Sequence, residues 1–487
     1  MSEHFDVLIV GAGISGIGGA YHLLDQCPGT SFVVLENQEG FGGTWRTHTY
    51  PGIRSDSDLY TFGYRFKPWT GKPIASAEAI MEYLGEVIDE NRIDQHIRYG
   101  HEIRSASWST DDKHWTVEVE RLDTREHSTF TCTFLWMCQG YYDHKKPYTP
   151  QWEGMDDFRG DVVHPQTWPD DLDYAGKRVV VIGSGATAAT LIPAMADDTE
   201  HITMLQRSPT YFAPRANVDE LADQLRSLDV PDEWTHEIVR RNRIKMTNEI
   251  DKAAKAFPDM VRDELVGMAR EILGDDFDIE THFTPAYRPW QQRLALIPDG
   301  DLFHALKDGK ASVVTDKIER FTAEGILLAS GDVLEADIIV TATGFDLSVL
   351  GGVTFDIDGE ALDFSNTVTW YGAMFSGVPN MVWVFGYFRA SWTLKVDLLG
   401  DFVARLLHEM SDRGASMVVP RLRPEDEAME LRPWIEPDDF NPGYVMRSLH
   451  LMPKQTAEAP WRHLQDYLLE KDALPATDLD DGTLVFD

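Results

Sequence analysis

FDVLIVGAGISG, residues 5–16, decides the fold of this 487-residue chain. Its first half is an apolar, β-branched run that reads as a buried parallel strand. It ends in Gly11-Ala12-Gly13-Ile14-Ser15-Gly16 and a helix-like AYHLLDQ. In this spacing Gly11 permits a tight turn, Gly13 lets the backbone approach a pyrophosphate and Gly16 lets helix and strand pack closely. Ser15 lies at the helix start, where free N–H groups attract phosphate. The next strand pattern, SFVVLE, ends in Glu36, about where an acid meets a ribose hydroxyl. A glycine turn without a ligand explains the loop but not the acid.

The same pattern returns. KRVVVI (177–182) leads into Gly183-Ser184-Gly185-Ala186-Thr187-Ala188, with Ala188 in place of the third glycine. Thr187 and Ser184 add hydroxyls to the loop, and Pro193 should kink or shorten the helix that follows. The strand after it, HITMLQR, carries no acid at its end but Arg207 and Ser208, a pair suited to a 2′-phosphate. The first unit reads as FAD or NAD and the second as NADPH; an exposed solubilising charge is the bland alternative for Arg207. Gly43, Thr44 and Trp45, then YPGIRSD ending in Asp56, tilt the first unit to FAD, since a flavin ring needs a flat apolar bed with polar groups at its edge.

The expected fold is α/β, with two Rossmann-like dinucleotide-binding domains and a helical insertion in the NADPH domain. The FAD domain takes residues 1–145 and 342–487. The NADPH domain takes 146–210 and 286–341, and residues 211–285 form the insertion, with Val261, Leu265, Met268 and Ile272 as its apolar face. IRYGHEI, SASWST, HWTVEVE and FTCTFLWMC read as strands of a small meander. ASVVTD, GILLAS and ADIIVTATG are expected to complete the second sheet, and APWRHLQDYLLE reads as a terminal helix.

A formal charge of −37 argues against a nucleic-acid partner, whose phosphates would be repelled. No apolar run reaches the roughly 20 residues of a membrane span, the chain runs directly into its first strand without room for a signal peptide, and only three cysteines occur. A cytoplasmic location is therefore expected. No metal-ligand spacing is present, and the oligomeric state is not legible. Two dinucleotide sites imply electron flow from NADPH to FAD. A disulfide reductase would need a Cys pair, so O2 is the expected acceptor.

Between the two fingerprints stands FRGDVVHPQTWP (158–169). Phe158, Gly160, His164 and Trp168-Pro169, together with GGTW, YPG and Asp56 and with DIIVTATG (337–344), resemble the signatures of the class B flavoprotein monooxygenases and, within them, the Baeyer–Villiger monooxygenases. Their flavin-containing and N-hydroxylating cousins usually carry Tyr or Phe where Trp168 stands. The resemblance implies a reaction in which NADPH reduces FAD, a C4a-peroxyflavin forms from O2, and a ketone becomes an ester or lactone. S- or N-oxygenation, for instance of a thioether, and an uncoupled NADPH oxidase are the alternatives. It also implies Arg293 as the cation beside the flavin, Asp56 as its holder, His164 and Trp168 as a linker coupling domain movement to cofactor exchange, and Trp392 on a mobile substrate loop. Many relatives carry Lys just before that arginine; here it is Gln292, which leaves more of the 2′-phosphate selectivity to Arg207.

Overall fold

Val7 to Val10 are fully or almost fully buried, as a strand flanked on both sides requires. In the computed structural model, which describes residues 3–487, the strand Glu3–Val10 is central to the first sheet; residues 1 and 2 of the expected FAD domain lie outside the described part. Phe32–Leu35 and then Ile97–Arg98 lie on one side of it, and the C-terminal half of His127–Met137, then Met381–Trp383, on the other, all parallel. The N-terminal half of His127–Met137 turns the sheet antiparallel through His114–Arg121 and His101–Ser109. HEI and SASWST, read as two strands, are thus one strand, with a register shift between Ile103 and Ser105. A bulge absorbs one residue without ending the pairing.

The second sheet is wholly parallel. Its order is Ala311–Thr315, His201–Gln206, Arg178–Ile182, Ile338–Thr341 and Asp161–Val163. Part of the stretch read as a linker, Asp161–Val163, is therefore an edge strand. GILLAS does not join this sheet: Gly325–Leu328 pairs antiparallel with Ile318–Thr322 and Val333–Glu335 in a small sheet of three. Its hairpin with Ile318–Thr322 turns through Ala323 and Glu324, too short for the crossover a parallel partner needs. Two crossovers join the large sheets, and they pair with each other as Tyr142–Pro147 and Phe345–Leu347.

Helices Glu220–Ser227, Asp232–Ala256 and Pro258–Leu273 fill most of the expected insertion. On the third, Val261, Leu265, Ala269 and Leu273 are the buried face, whereas Met268 and Ile272 are half-buried; a strict four-residue step follows the core more closely than the step read from the larger side chains. The terminal helix is shorter than expected. It spans Tyr467–Ala473, because Asp466 caps it by accepting from the N–H groups of Leu468 and Leu469.

Among the described residues no helix is long and apolar enough to cross a membrane. With −37 formal charges the folded chain repels itself, and salt screens that repulsion. Thermal unfolding is expected at a higher temperature in about 1 M NaCl than in about 0.05 M, where the screening length is several times longer. A midpoint that stays put or falls with salt would show that the surplus carries no destabilising repulsion.

Candidate functional site

A cavity of about 780 Å³ opens between the two sheets, lined by both fingerprints at once: Gly11, Gly13 and Ser15 from the first, Gly185, Ala186 and Thr187 from the second. Each glycine loop leaves the C-terminal end of a parallel strand, where open α/β sheets bind ligands. Gly11 has φ +96°, and a Cβ on Gly16 would stand 1.8 Å from the Gly11 carbonyl oxygen, so turn and helix touch as the spacing predicts. Gly13 and Gly43 approach back to back, a Cβ on Gly43 meeting Gly13 Cα at 3.2 Å. Gly183 is needed for a different contact: at φ +134° its Cβ would stand 2.2 Å from the Ala342 carbonyl oxygen. Ala188 is fully buried in the helix Ala186–Met195, which contains Pro193 and ends two residues after it.

Glu36 is 4% exposed, and its two carboxylate oxygens accept from the N–H groups of Ala12 (2.7 Å) and Gln38 (2.8 Å). Burial raises its pKa, opposed by those N–H groups. Thr44 and Trp45 line the cavity, the indole edge-on to Phe62 at 5.7 Å. Residues 50–56 then join the two fingerprints. Arg54 pairs with Asp301 (2.5 Å) and donates to the Ala189 carbonyl, and a Cβ on Gly52 would meet the Ala194 methyl at 2.5 Å.

Arg293 meets Asp56 across the cavity wall, Nη2 to Oδ1 at 2.9 Å and Nε to Oδ2 at 3.3 Å. The Asp56 carboxylate raises the guanidinium pKa further, against the opposing pull of burial. The arginine side chain keeps 36% of its surface open, and it lines the cavity. A forked cation gripped along one edge presents its other N–H groups to whatever fills that space.

Arg207 and Ser208 are exposed at the end of His201–Gln206, outside the cavity lining. Ser184 Oγ is 2.8 Å from Thr210 Oγ1. Gly160 lies so close to the Asp337 carbonyl that a Cβ would stand 2.1 Å from it, and Phe158 packs edge-on to Phe321. His164 is buried, and its Nδ1 accepts from the N–H of Gln166, capping the turn Pro165–Thr167. Desolvation lowers its pKa, which favours the neutral ring. Trp168 is half-buried against the second domain's core. Trp392 stands at the start of the helix Thr393–Arg413, donates its indole N–H to Ser15 Oγ (2.7 Å) and stacks on Tyr141. Of the site residues named from the sequence, the structure brings Gly11, Gly13, Ser15, Glu36, Gly43, Thr44, Trp45, Asp56, Gly185, Thr187, Arg293 and Trp392 to one cavity.

Several cavity residues carried no sequence signal. His48 is 3% exposed, and neither of its ring nitrogens has a partner among the described residues; Gln139 likewise has both amide atoms unpartnered. Burial pulls the His48 ring down to a pKa of about 4. Tyr141 and Tyr142 follow the strand His127–Met137 as Gly11 follows Glu3–Val10, so the strand-end rule could have flagged them. Tyr444, from the short helix Gly443–Ser448, had no local signature.

Two sheets, each ending in a glycine turn on a shared cavity, define an oxidoreductase of the two-dinucleotide-domain class. A family model described as pyridine nucleotide-disulphide oxidoreductase matches residues 8–249. The disulfide chemistry in that description has no dithiol here: Cys27, Cys132 and Cys138 are free and buried, and burial raises all three thiol pKa values. The chain is 47% identical over 488 aligned positions to the FAD-containing monooxygenase EthA of Mycobacterium tuberculosis, covering 100% of this chain and 98% of that one. It is 44% identical over 489 positions to the probable FAD-binding monooxygenase AlmA of Acinetobacter baylyi, at 100% and 97% coverage. It belongs to the family of FAD-containing monooxygenases. A solved steroid monooxygenase bound to NADP shares the fold, with a TM-score of 0.77 at 22% identity over 99% of each chain.

Proposed function

We propose that this chain is an NADPH- and FAD-dependent Baeyer–Villiger monooxygenase, inserting one oxygen atom of O2 beside a ketone carbonyl to give an ester or lactone. The observation that carries the reading is Arg293, fixed by Asp56 on the wall of the cavity that both fingerprints share. The cavity also fits the cofactors. A Cβ on Gly185 or Gly140 would meet nothing within 4 Å, and the unpartnered atoms of His48 and Gln139 call for a polar ligand. FAD-containing relatives and an NADP-bound structure of the same fold support the same pair of cofactors.

FAD reduced by NADPH supplies the chemistry, activating O2 and delivering one of its atoms. Gly11, Gly13, Ser15 and Glu36 would hold the FAD pyrophosphate and ribose, with Gly43, Thr44, Trp45 and Asp56 beside the ring. Gly183, Ser184, Gly185, Thr187 and Ala188 would form the NADPH loop, with Arg207 and Ser208 on its 2′-phosphate. Arg293 keeps its charge at every working pH, so it can stabilise negative charge developing on oxygen without taking up or losing a proton. Asp56 sets its orientation. His164 holds the turn between the sheets, and its buried neutral ring suits positioning better than proton transfer.

Two measurements test this. NADPH consumption followed with 2-alkanones, phenylacetone and a thioether, with hydrogen peroxide quantified, is expected to show ester formation coupled to NADPH. Unchanged consumption with peroxide as sole product would leave an oxidase, and sulfoxide without ester would leave a sulfur oxygenase. Arg207→Ala is expected to raise the KM for NADPH by about tenfold or more while leaving that for NADH nearly unchanged, since a charge-assisted phosphate contact is worth more than about 1.4 kcal/mol. Equal effects on the two would remove Arg207 from that role.

A further inference from the structure

Beside Arg293 the cavity wall carries three phenols. Tyr141 donates its hydroxyl to that of Tyr142 at 2.9 Å, and the ring of Tyr444 lies 6.2 Å from that of Tyr142. All three hydroxyls lie within the electrostatic reach of Arg293, and those of Tyr142 and Tyr444 also within that of Asp56. All three line the same cavity as the Arg293–Asp56 pair. Around them the wall is apolar. Trp392 stacks on Tyr141 at 5.1 Å and 18°, Phe385 lies 5.3 Å from Tyr141, and Phe345 lies 4.5 Å from Tyr142.

Donors and acceptors do not balance in this group. A guanidinium has five N–H bonds and no acceptor; two of them go to Asp56. Each phenol adds one O–H; Tyr444 hydrogen-bonds to Tyr141 and Tyr141 donates to Tyr142, which leaves the Tyr142 proton at the end of the chain. Asp56, the carboxylate that acts on Tyr142 and Tyr444, is already gripped by the arginine. Burial drives all three phenol pKa values upward, so they remain O–H donors through the neutral range. A surplus of donors set in an aromatic wall is satisfied by a ligand with one acceptor atom on an apolar body.

We propose that Tyr142, at the end of a Tyr444–Tyr141–Tyr142 hydroxyl chain, is the positioning residue of the substrate subsite, presenting its hydroxyl proton to the carbonyl oxygen of an aromatic or alkyl ketone held against Trp392 and Phe385. This rests on the monooxygenase reading and adds to it where the ketone sits and what selects it. Tyr141 and Tyr142 belong to a crossover between the sheets and Tyr444 to a helix far along the chain, so the subsite assembles only when these segments are packed together.

The test compares binding of acetophenone with that of α-methylstyrene, which replaces C=O by C=CH2 at nearly the same shape. Isothermal titration is done on the oxidised, flavin-loaded protein without NADPH, where neither compound is turned over. The wild type is expected to prefer acetophenone by about tenfold or more, the penalty for leaving the site's donors unpaired under a bound ligand. Tyr142→Phe keeps the ring and is expected to reduce that preference severalfold, with α-methylstyrene affinity and flavin content unchanged. Equal binding of the two compounds by the wild type, or an undiminished preference in Tyr142→Phe, would overturn the proposal. Because no turnover is read, a protein that binds ketones selectively but makes no ester would count against the monooxygenase reading alone.

Discussion

Arg293→Ala is expected to lower the rate of oxygen transfer to a ketone by about 100- to 1000-fold, the usual cost of removing a preorganised donor at developing negative charge. The arginine supplies a charge that the neighbouring phenols lack. Asp56 cancels part of that charge and aims the rest, which is why Arg293→Lys should restore little: an ammonium makes no two-pronged grip on Asp56 of the kind seen here. Bound flavin, read from its absorbance, is expected to remain, because the fingerprint glycines and Glu36 stand on other elements. NADPH is then expected to drain to hydrogen peroxide. Ester formation at the wild-type rate in Arg293→Ala would remove the arginine from the chemistry; loss of flavin would make it a structural residue.

The second large effect lies away from the cavity. Arg240, on the long helix Asp232–Ala256, is 3% exposed. Its Nη1 donates to the carbonyls of Tyr60, Thr61 and Gly63, and its Nη2 to Asp397 at 3.1 Å. Asp397 also accepts from the N–H of Arg65 and lies 3.4 Å from His22, on the helix of the first fingerprint. One buried cation thus ties the inserted helices to the first sheet's helix and to the helix that begins after Trp392. Arg240→Ala leaves Asp397 and three carbonyls short of a donor and is expected to cost about 3–5 kcal/mol of stability. Denaturant unfolding would read it. A loss below about 1 kcal/mol would mean that water replaces the guanidinium at little cost.

The first strand–glycine–helix unit was legible because its glycines answer local demands, a positive φ at Gly11 and helix contact at Gly16; the second repeats its spacing, although Gly183 answers a distant neighbour, the Ala342 carbonyl. Arg293 and Asp56 were named from motif resemblance, 237 residues apart; nothing in their spacing places them together. What sequence missed depends on distant partners. Asp161–Val163 is a strand because Ile338–Thr341 offers it an edge. The residues ahead of Tyr467 carry helical spacing, yet Trp461 is fully buried and His463 bonds the Trp434 carbonyl instead. GILL reads alike in a central strand or a hairpin, and the short turn before it decided the outcome. The three phenols converge from residues 141, 142 and 444, a meeting that only tertiary packing brings about.

The proposed reaction moves one atom of O2 to a ketone at the expense of NADPH. Turnover of phenylacetone under ¹⁸O2, with mass analysis of the ester and a count of NADPH consumed, addresses it most directly. One ¹⁸O per ester and one NADPH per ester are expected. An ester whose inserted oxygen comes from water, or NADPH oxidation with no labelled product, would contradict that reaction.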